Sequence, residues 1–125
     1  MLWKGSVDTE VAVPGRCLEA QYCSNPLTLL FLTHDVPYEE QLEIVLIRDD
    51  RVVLDHVSIG GGLTTGNFRD AAIEPPDVVS FSFFGGHRWY ARVLPRPRLR
   101  LPIATCAGVH RPWGWRCWID VGAMR

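Results

Sequence analysis

The sequence contains no long apolar run, and this excludes a membrane-spanning helix. Its longest nearly apolar stretch, residues 27–32, is far shorter than the roughly 20 residues that such a helix needs. The first residues also lack the basic end and continuous apolar stretch of a secretory signal. We therefore expect a cytoplasmic protein that makes no contact with a membrane.

Closely spaced cysteines are missing as well. Five residues separate the first two cysteines and ten separate the last two, whereas two thiolates that bind one zinc are typically about two to four residues apart. A reducing compartment also disfavours disulfides. We predict no metal and no cofactor, with a Cys/His site that includes His110 as the alternative. The cysteines in question are Cys17, Cys23, Cys106 and Cys117.

A strong excess of either charge is absent, since the formal net charge is −1. This argues against a strongly cationic nucleic-acid-binding protein. The two halves of the chain nevertheless differ. Residues 1–62 carry four basic and ten acidic side chains, a charge of −6, whereas residues 63–125 carry nine arginines and four acidic side chains, a charge of +5. We expect the halves to pair with each other, within one chain or across a dimer.

Nine prolines and eleven glycines interrupt the chain at short intervals. Short apolar runs between such residues are typical of β-strands joined by turns. We predict one all-β domain over residues 1–125, an antiparallel sheet of about six to nine strands curled into a small barrel or a sandwich. Residues 27–33 are expected to form a central strand, residues 35–42 at most one short helix, and residues 103–125 a last strand or C-terminal flap.

A short run also resembles part of a known small barrel. Residues 62–70, Gly-Leu-Thr-Thr-Gly-Asn-Phe-Arg-Asp, are similar to the turn and strand of Sm-like small barrels. The resemblance covers nine residues and carries no functional residue over to this chain. It implies an alternative fold, an Sm-like or SH3-like small barrel with extensions.

The apolar runs on either side of residues 48–51 predict a first hairpin. Two aspartates in this segment tolerate a tight turn. The expected register places Ile47 opposite Val52 and Glu43 opposite His56. Both faces of the hairpin are then largely apolar, so we expect it to be covered on both sides or to take part in an oligomer.

The runs around Gly85 and Gly86 predict a second hairpin. A three-residue loop places Phe81 opposite Trp89, and this register puts every apolar odd-numbered residue on one face. Beyond Pro95 the chain can only form an edge strand or an extended segment, because proline cannot donate to an interior ladder.

The second strand of this hairpin continues into a segment in which arginines alternate with apolar residues. Arginines beside an aromatic ring suit a phosphate and a stacked base, and a solvated strand face explains the same pattern. The candidate binding face consists of Arg88, Tyr90, Arg92, Arg96, Arg98 and Arg100, which point away from Trp89, Ala91, Val93, Leu99 and Leu101. The candidate cavity or interface aromatics are Trp89, Trp113, Trp115 and Trp118.

Two histidines lie next to aspartates in the sequence, in the pairs His34 with Asp35 and His56 with Asp55. Neighbours on a strand point to opposite faces, so neither pair is expected to orient a catalytic histidine. We therefore assign no catalytic residue.

No particular function follows from these features. They favour a non-catalytic binding or assembly module whose basic arginine and aromatic face takes an anionic partner, either protein or nucleic acid. The alternative is a small β-barrel that binds, or acts on, a hydrophobic small molecule, and single-stranded nucleic-acid binding is a weaker alternative. We expect a homodimer that buries the apolar residues of segment 42–59 or the tail tryptophans.

Overall fold

Ten β-strands form the regular structure in the part of the chain that a computed structural model describes. The described residues are 3–4, 17–24, 26–34, 40–60, 66–84, 88–99, 109–111 and 116–124. The strands are β1 (Trp3–Lys4), β2 (Cys17–Ser24), β3 (Leu27–Thr33), β4 (Gln41–Arg48), β5 (Val53–Gly60), β6 (Arg69–Glu74), β7 (Val78–Ser82), β8 (Arg88–Leu99), β9 (Val109–His110) and β10 (Arg116–Ala123).

The all-β prediction is confirmed, because none of the described residues lies in a helix. The helix predicted over residues 35–42 is not found where it can be tested. Gln41 and Leu42 begin β4, and residues 35–39 lie outside the described residues. Among the described residues there is also no helix with the length and apolar character to cross a membrane.

The strands form two antiparallel sheets. The larger sheet has the order β1-β2-β3-β4-β5-β9, and the smaller sheet has the order β10-β8-β7-β6. The prediction of a central strand at residues 27–33 is confirmed, because β3 lies between β2 and β4 and every residue of it after Leu27 is buried. Apolar side chains on both parities of β3 therefore have cover on both faces of the sheet.

One hydrophobic core contains residues of both sheets. Phe31 of β3 packs against Phe81 of β7 with ring centroids 5.3 Å apart. Phe68 contacts both rings, at 5.1 Å from Phe31 and 5.4 Å from Phe81. Tyr22 of β2 meets Phe31 edge-on at 5.8 Å. This aromatic cluster links the two sheets.

A second, smaller apolar cluster lies on the opposite side of the large sheet, formed by Leu30, Leu32, Val45 and Ile47. The side chains of β4 therefore alternate between two buried clusters, with Ile44 and Leu46 in the main core. The prediction that the first hairpin is covered on both faces is confirmed for β4. Its apolar side chains are buried within the chain itself, so they are not free to form the expected dimer contact.

The predicted register of the first hairpin is wrong. Ile47 lies opposite Val53, and Glu43 lies opposite Ser58. The turn consists of residues 49–51, because Arg48 N donates to Val52 O, and Arg51 within it is in the left-handed region at φ 68°. A bulge then adds one residue on β5. Each effect shifts the pairing by one residue. The combined shift of two leaves Glu43 on its predicted face, because side chains alternate with a period of two.

The predicted register of the second hairpin is confirmed, since Phe81 pairs with Trp89 and Val79 with Ala91. The loop residues 85–87 lie outside the described residues. Residues 66–68 are not in a strand, and β6 begins at Arg69.

Strand β8 has the edge character that its prolines predict. It pairs with β7 only as far as Arg92, and with β10 as far as Leu99. Its last residues thus have one neighbouring strand within the described structure. The last strand of the described structure is β10, which lies within the segment 103–125.

The carboxylate of Asp55 connects the two sheets on the side of β10. Its Oδ2 atom accepts hydrogen bonds from the backbone amides of Trp118 (2.8 Å) and Ile119 (2.9 Å), and from Arg111 Nη1 (3.1 Å). These two amides lie where the register between β8 and β10 shifts and the regular ladder is interrupted. The Asp55 and Arg111 side chains are only 7% and 10% exposed, so the ion pair is largely desolvated.

We expect Asp55→Asn to lower the free energy of unfolding by about 3 kcal/mol or more, because it leaves the buried Arg111 without its counter-charge. Urea unfolding followed by circular dichroism measures the change. The matched control is Asp77→Asn, which breaks the more exposed pair with Arg92 and should cost less than about 1 kcal/mol. Equal effects of the two substitutions would contradict a special role for Asp55.

Candidate functional site

The first part of the predicted basic face is engaged in contacts within the chain. Arg88 donates to the backbone oxygen of Asp70 (2.8 Å) and to Ser80 Oγ (2.8 Å). Arg92 pairs with Asp77 at 3.3 Å. The ring of Tyr90 lies close over Gly122, where an added Cβ would be 3.0 Å from the Tyr90 hydroxyl. These three side chains of β8 thus contact other parts of the small sheet.

The second part of that face does not continue the alternation. Val93 and Leu94 are consecutive and both buried, so the pleat is interrupted there. Leu99 was expected to join the apolar face, and this is wrong, because it is 78% exposed. Arg96 and Arg98 are exposed, and Arg100 lies outside the described residues. Five of the six residues of the candidate binding face are thus described, and the face as a whole stays a prediction.

The tryptophans also have different environments. Trp89 is buried and its Nε1 donates to the backbone oxygen of Phe84 at 3.1 Å. Trp118 is half-buried against the main core. Trp113 and Trp115 lie outside the described residues. Trp89 is thus a core residue whose polar atom has a partner.

A polar network centred on Glu43 lies on the side of the large sheet that faces away from the main core. Glu43 is 3% exposed, and it accepts from His34 Nε2 at 3.0 Å. It also accepts from Gln41, His56 and Ser58, so that each carboxylate oxygen has two donors. Strand pairing produces this arrangement, because Ser58 lies opposite Glu43 in the ladder.

These hydrogen bonds determine the charge of Glu43. Burial by itself would raise its pKa, but the donors His56, Ser58, His34 and Gln41 outweigh burial and lower the pKa to about 2. An ionised carboxylate can only accept, so each contacting imidazole nitrogen carries its proton. Glu43 is therefore a fully hydrogen-bonded anion and a weak base at neutral pH.

The Glu43 network does not have the geometry of a catalytic triad. A triad histidine contacts the nucleophile through one ring nitrogen and the carboxylate through the other. Here Ser58 Oγ lies 3.5 Å from His56 Nε2, the same nitrogen that contacts Glu43. The backbone of His56, and not its ring, contacts Asp55. The prediction that His56 and Asp55 form no side-chain pair agrees with this geometry.

Metal-binding and disulfide chemistry receive no support within the described residues. No three or more His, Cys, Asp or Glu side chains there are arranged to hold a metal ion. Cys17, Cys23 and Cys117 are free thiols, and Cys106 lies outside the described residues.

An open cleft of about 520 Å³ lies between β2 of the large sheet and β6 of the small sheet, within the size range of small-ligand sites. Burial raises the pKa of Tyr22, which keeps its phenol neutral at the cleft floor. Two carboxylates stand among otherwise apolar lining residues. The cleft is lined by Glu19, Ala20, Tyr22, Phe68, Asp70, Ala71 and Ile73.

The cleft carboxylates are weakly neutralised. Glu19 Oε1 accepts from Thr33 Oγ1 at 2.7 Å and makes no ion pair within the described part of the chain. Asp70 has Arg69 Nε at 4.0 Å, and both side chains are largely exposed. Such an exposed ion pair contributes little free energy. The cleft thus combines an aromatic floor with negative charge.

Sequence reasoning missed both the cleft and part of the Glu43 network. The sequence did contain a signal for the network. Glu43 is an acid inside the apolar run 42–47, and it was predicted to share a face with His56. The cleft had no comparable signal, because β2 and β6 are far apart in sequence and meet only through packing of the two sheets.

No protein-family model matches the chain, and neither a curated protein nor a solved structure shows significant similarity to it. Its function is therefore inferred from the geometry of its own residues.

The lowered pKa of Glu43 predicts acid sensitivity. Its contribution to stability is fully present above its ordinary pKa of 4.5 and is lost as the pH falls towards about 2, a loss of about 3 kcal/mol. We expect Ser58→Ala to raise the pKa of Glu43 and so reduce this loss, because one donor is removed. Carboxyl ¹³C NMR titration measures the pKa.

The matched control is Ser80→Ala, which removes a buried hydroxyl from the small sheet, far from the network. It should leave the Glu43 titration unchanged. An unaltered titration in Ser58→Ala would show that the hydroxyl does not stabilise the Glu43 anion.

Proposed function

We propose that this chain is a non-catalytic binding module whose cleft between β2 and β6 holds a cationic group attached to an apolar body. The observation that carries the proposal is the pairing of two weakly neutralised carboxylates, Glu19 and Asp70, with an apolar and aromatic lining. An apolar cation satisfies both features, because its body covers Phe68 and Ile73 while its charge meets the carboxylates.

The aromatic side chains add to the preference for a cation. The face of an aromatic ring attracts a nearby positive charge, and organic ammonium groups are bound in this way. Phe68 is only partly buried and lines the cleft, so it is an aromatic side chain that such a group would meet there. A neutral apolar ligand would gain the contact with the ring but not the attraction of the two carboxylates.

The cleft is favoured over a cavity in the main core. The side chains of Phe31, Phe81 and Ile119 are fully buried in that core, and a filled core is typical of two sheets packed as a sandwich. We therefore propose a sandwich instead of a ligand-holding barrel.

The alternative roles have less support. A nucleic-acid function relied on the arginine face, but Arg88 and Arg92 are engaged within the chain. Arg96 and Arg98 remain exposed and suit an anionic partner.

A cytoplasmic location remains a prediction from sequence.

Titration with benzyltrimethylammonium, followed by isothermal calorimetry, tests the proposal. We expect saturable binding that weakens about three- to tenfold in Glu19→Gln and in Asp70→Asn, because each substitution removes one attracting charge. Benzyl alcohol, which keeps the ring without the charge, should bind more weakly than the ammonium compound.

The matched control is Glu74→Gln, which removes an exposed carboxylate from the same strand, β6, outside the cleft lining. The affinity of the Glu74→Gln variant for benzyltrimethylammonium should stay close to that of the parent. Absence of binding, or equal losses in all three variants, would refute the proposed site.

A further inference from the structure

The end of β8 has the chemistry of the ligand that the cleft is proposed to take. Arg96 and Arg98 are exposed, and Leu99 exposes 78% of its surface. Neither arginine forms an ion pair with another described residue. Arg116, also exposed, lies opposite Leu99 in the ladder. The basic tip, defined as residues 96–99 with Arg116, thus combines positive charge with an uncovered apolar side chain.

We propose that the basic tip of one copy of this chain binds in the cleft of a second copy, forming a closed dimer. This inference rests on the proposed function of the cleft and names its occupant. In a two-fold dimer each tip–cleft contact occurs twice, so the two arginines of each tip face Glu19 and Asp70 of the other copy.

The backbone around both surfaces also suits this contact. Strand β6 is the edge of the small sheet and pairs only with β7 in the described structure. Strand β8 has no β7 partner beyond Arg92. Both surfaces therefore present strand edges on which another chain can add.

A copy cannot insert its tip into its own cleft while its ladder is intact. Strand β8 is held by β10 through Leu99, and β7 separates β8 from β6. In the ladders Arg92 lies opposite Val78 and Val78 lies opposite Glu74, so the tip extends past the Glu74 end of β6, whereas Asp70 lies near the start of that strand. When each of two copies places its tip in the cleft of the other, both surfaces are covered and this strand pairing stays intact.

The charge distribution along the sequence agrees with the exchange. Residues 1–62 carry −6 and residues 63–125 carry +5. Glu19 belongs to the acidic half and the basic tip to the other half. Electrostatic complementarity of this kind gives an association that weakens as salt is added.

Sedimentation equilibrium with charge-swapped variants tests the dimer. The parent should sediment at twice the 14.1 kDa chain mass. Two double variants, R96E/R98E and E19R/D70R, should each dimerise at least about tenfold more weakly, because like charges then face each other. An equimolar mixture of the two should recover dimers, since both of its tip–cleft contacts pair opposite charges. A control substitution, Asp49→Arg in the distant β4–β5 turn, should leave dimerisation unchanged.

A parent that remains monomeric, or a mixture that fails to recover dimers while both variants remain folded by circular dichroism, overturns the inference. Benzyltrimethylammonium then separates the two proposals. Binding to the monomeric R96E/R98E variant leaves the cleft function intact even if no dimer forms. Loss of binding in that variant removes the cleft function as well. If both proposals hold, this variant binds the compound more tightly than the parent, because no tip competes for the cleft.

Discussion

The packing of Phe31 against Phe81 is the contact on which the rest of the structure depends. It joins two sheets that share no strand, and Phe68 closes the cluster from the segment that precedes β6. Phe68 is both a member of this cluster and part of the cleft wall. The core contact therefore places β6 beside β2 and creates the cleft between them.

Glu43 and Asp55 are carboxylates removed from water, and donors compensate each of them for the loss. Glu43 and Asp55 lie on adjacent strands and point to opposite sides of the large sheet, one into a network of side chains and the other towards amides of β10. Each carboxylate is held by several hydrogen bonds, and this offsets its desolvation. The cleft carboxylates differ, because they are exposed and weakly paired. The proposed binding site rests on this weakly paired surface charge and not on the buried carboxylates.

Much of the fold was predictable from sequence. In a hairpin the paired strands are neighbours in the sequence, so the alternation of apolar and polar residues also indicates which residues pair. The alternation around Phe81 and Trp89 determines both register and burial. The register of the first hairpin was predicted wrongly, because it depends on the left-handed conformation of Arg51 and on a bulge. The hydrophobic pattern encodes neither feature. The alternation expected along the arginine face does not continue beyond Val93, because Val93 and Leu94 are both buried, and the face itself stays a prediction. The cleft was beyond prediction, because its residues come together only when two sheets pack.

The proposed function depends most on the position of a cation in the cleft. Intermolecular nuclear Overhauser effects between benzyltrimethylammonium and the isotope-labelled chain measure this position directly. We expect contacts from the ligand protons to the ring of Phe68 and the methyl groups of Ile73, which line the cleft. A bound ligand whose contacts lie only on other residues, with none to Phe68 or Ile73, would contradict the account.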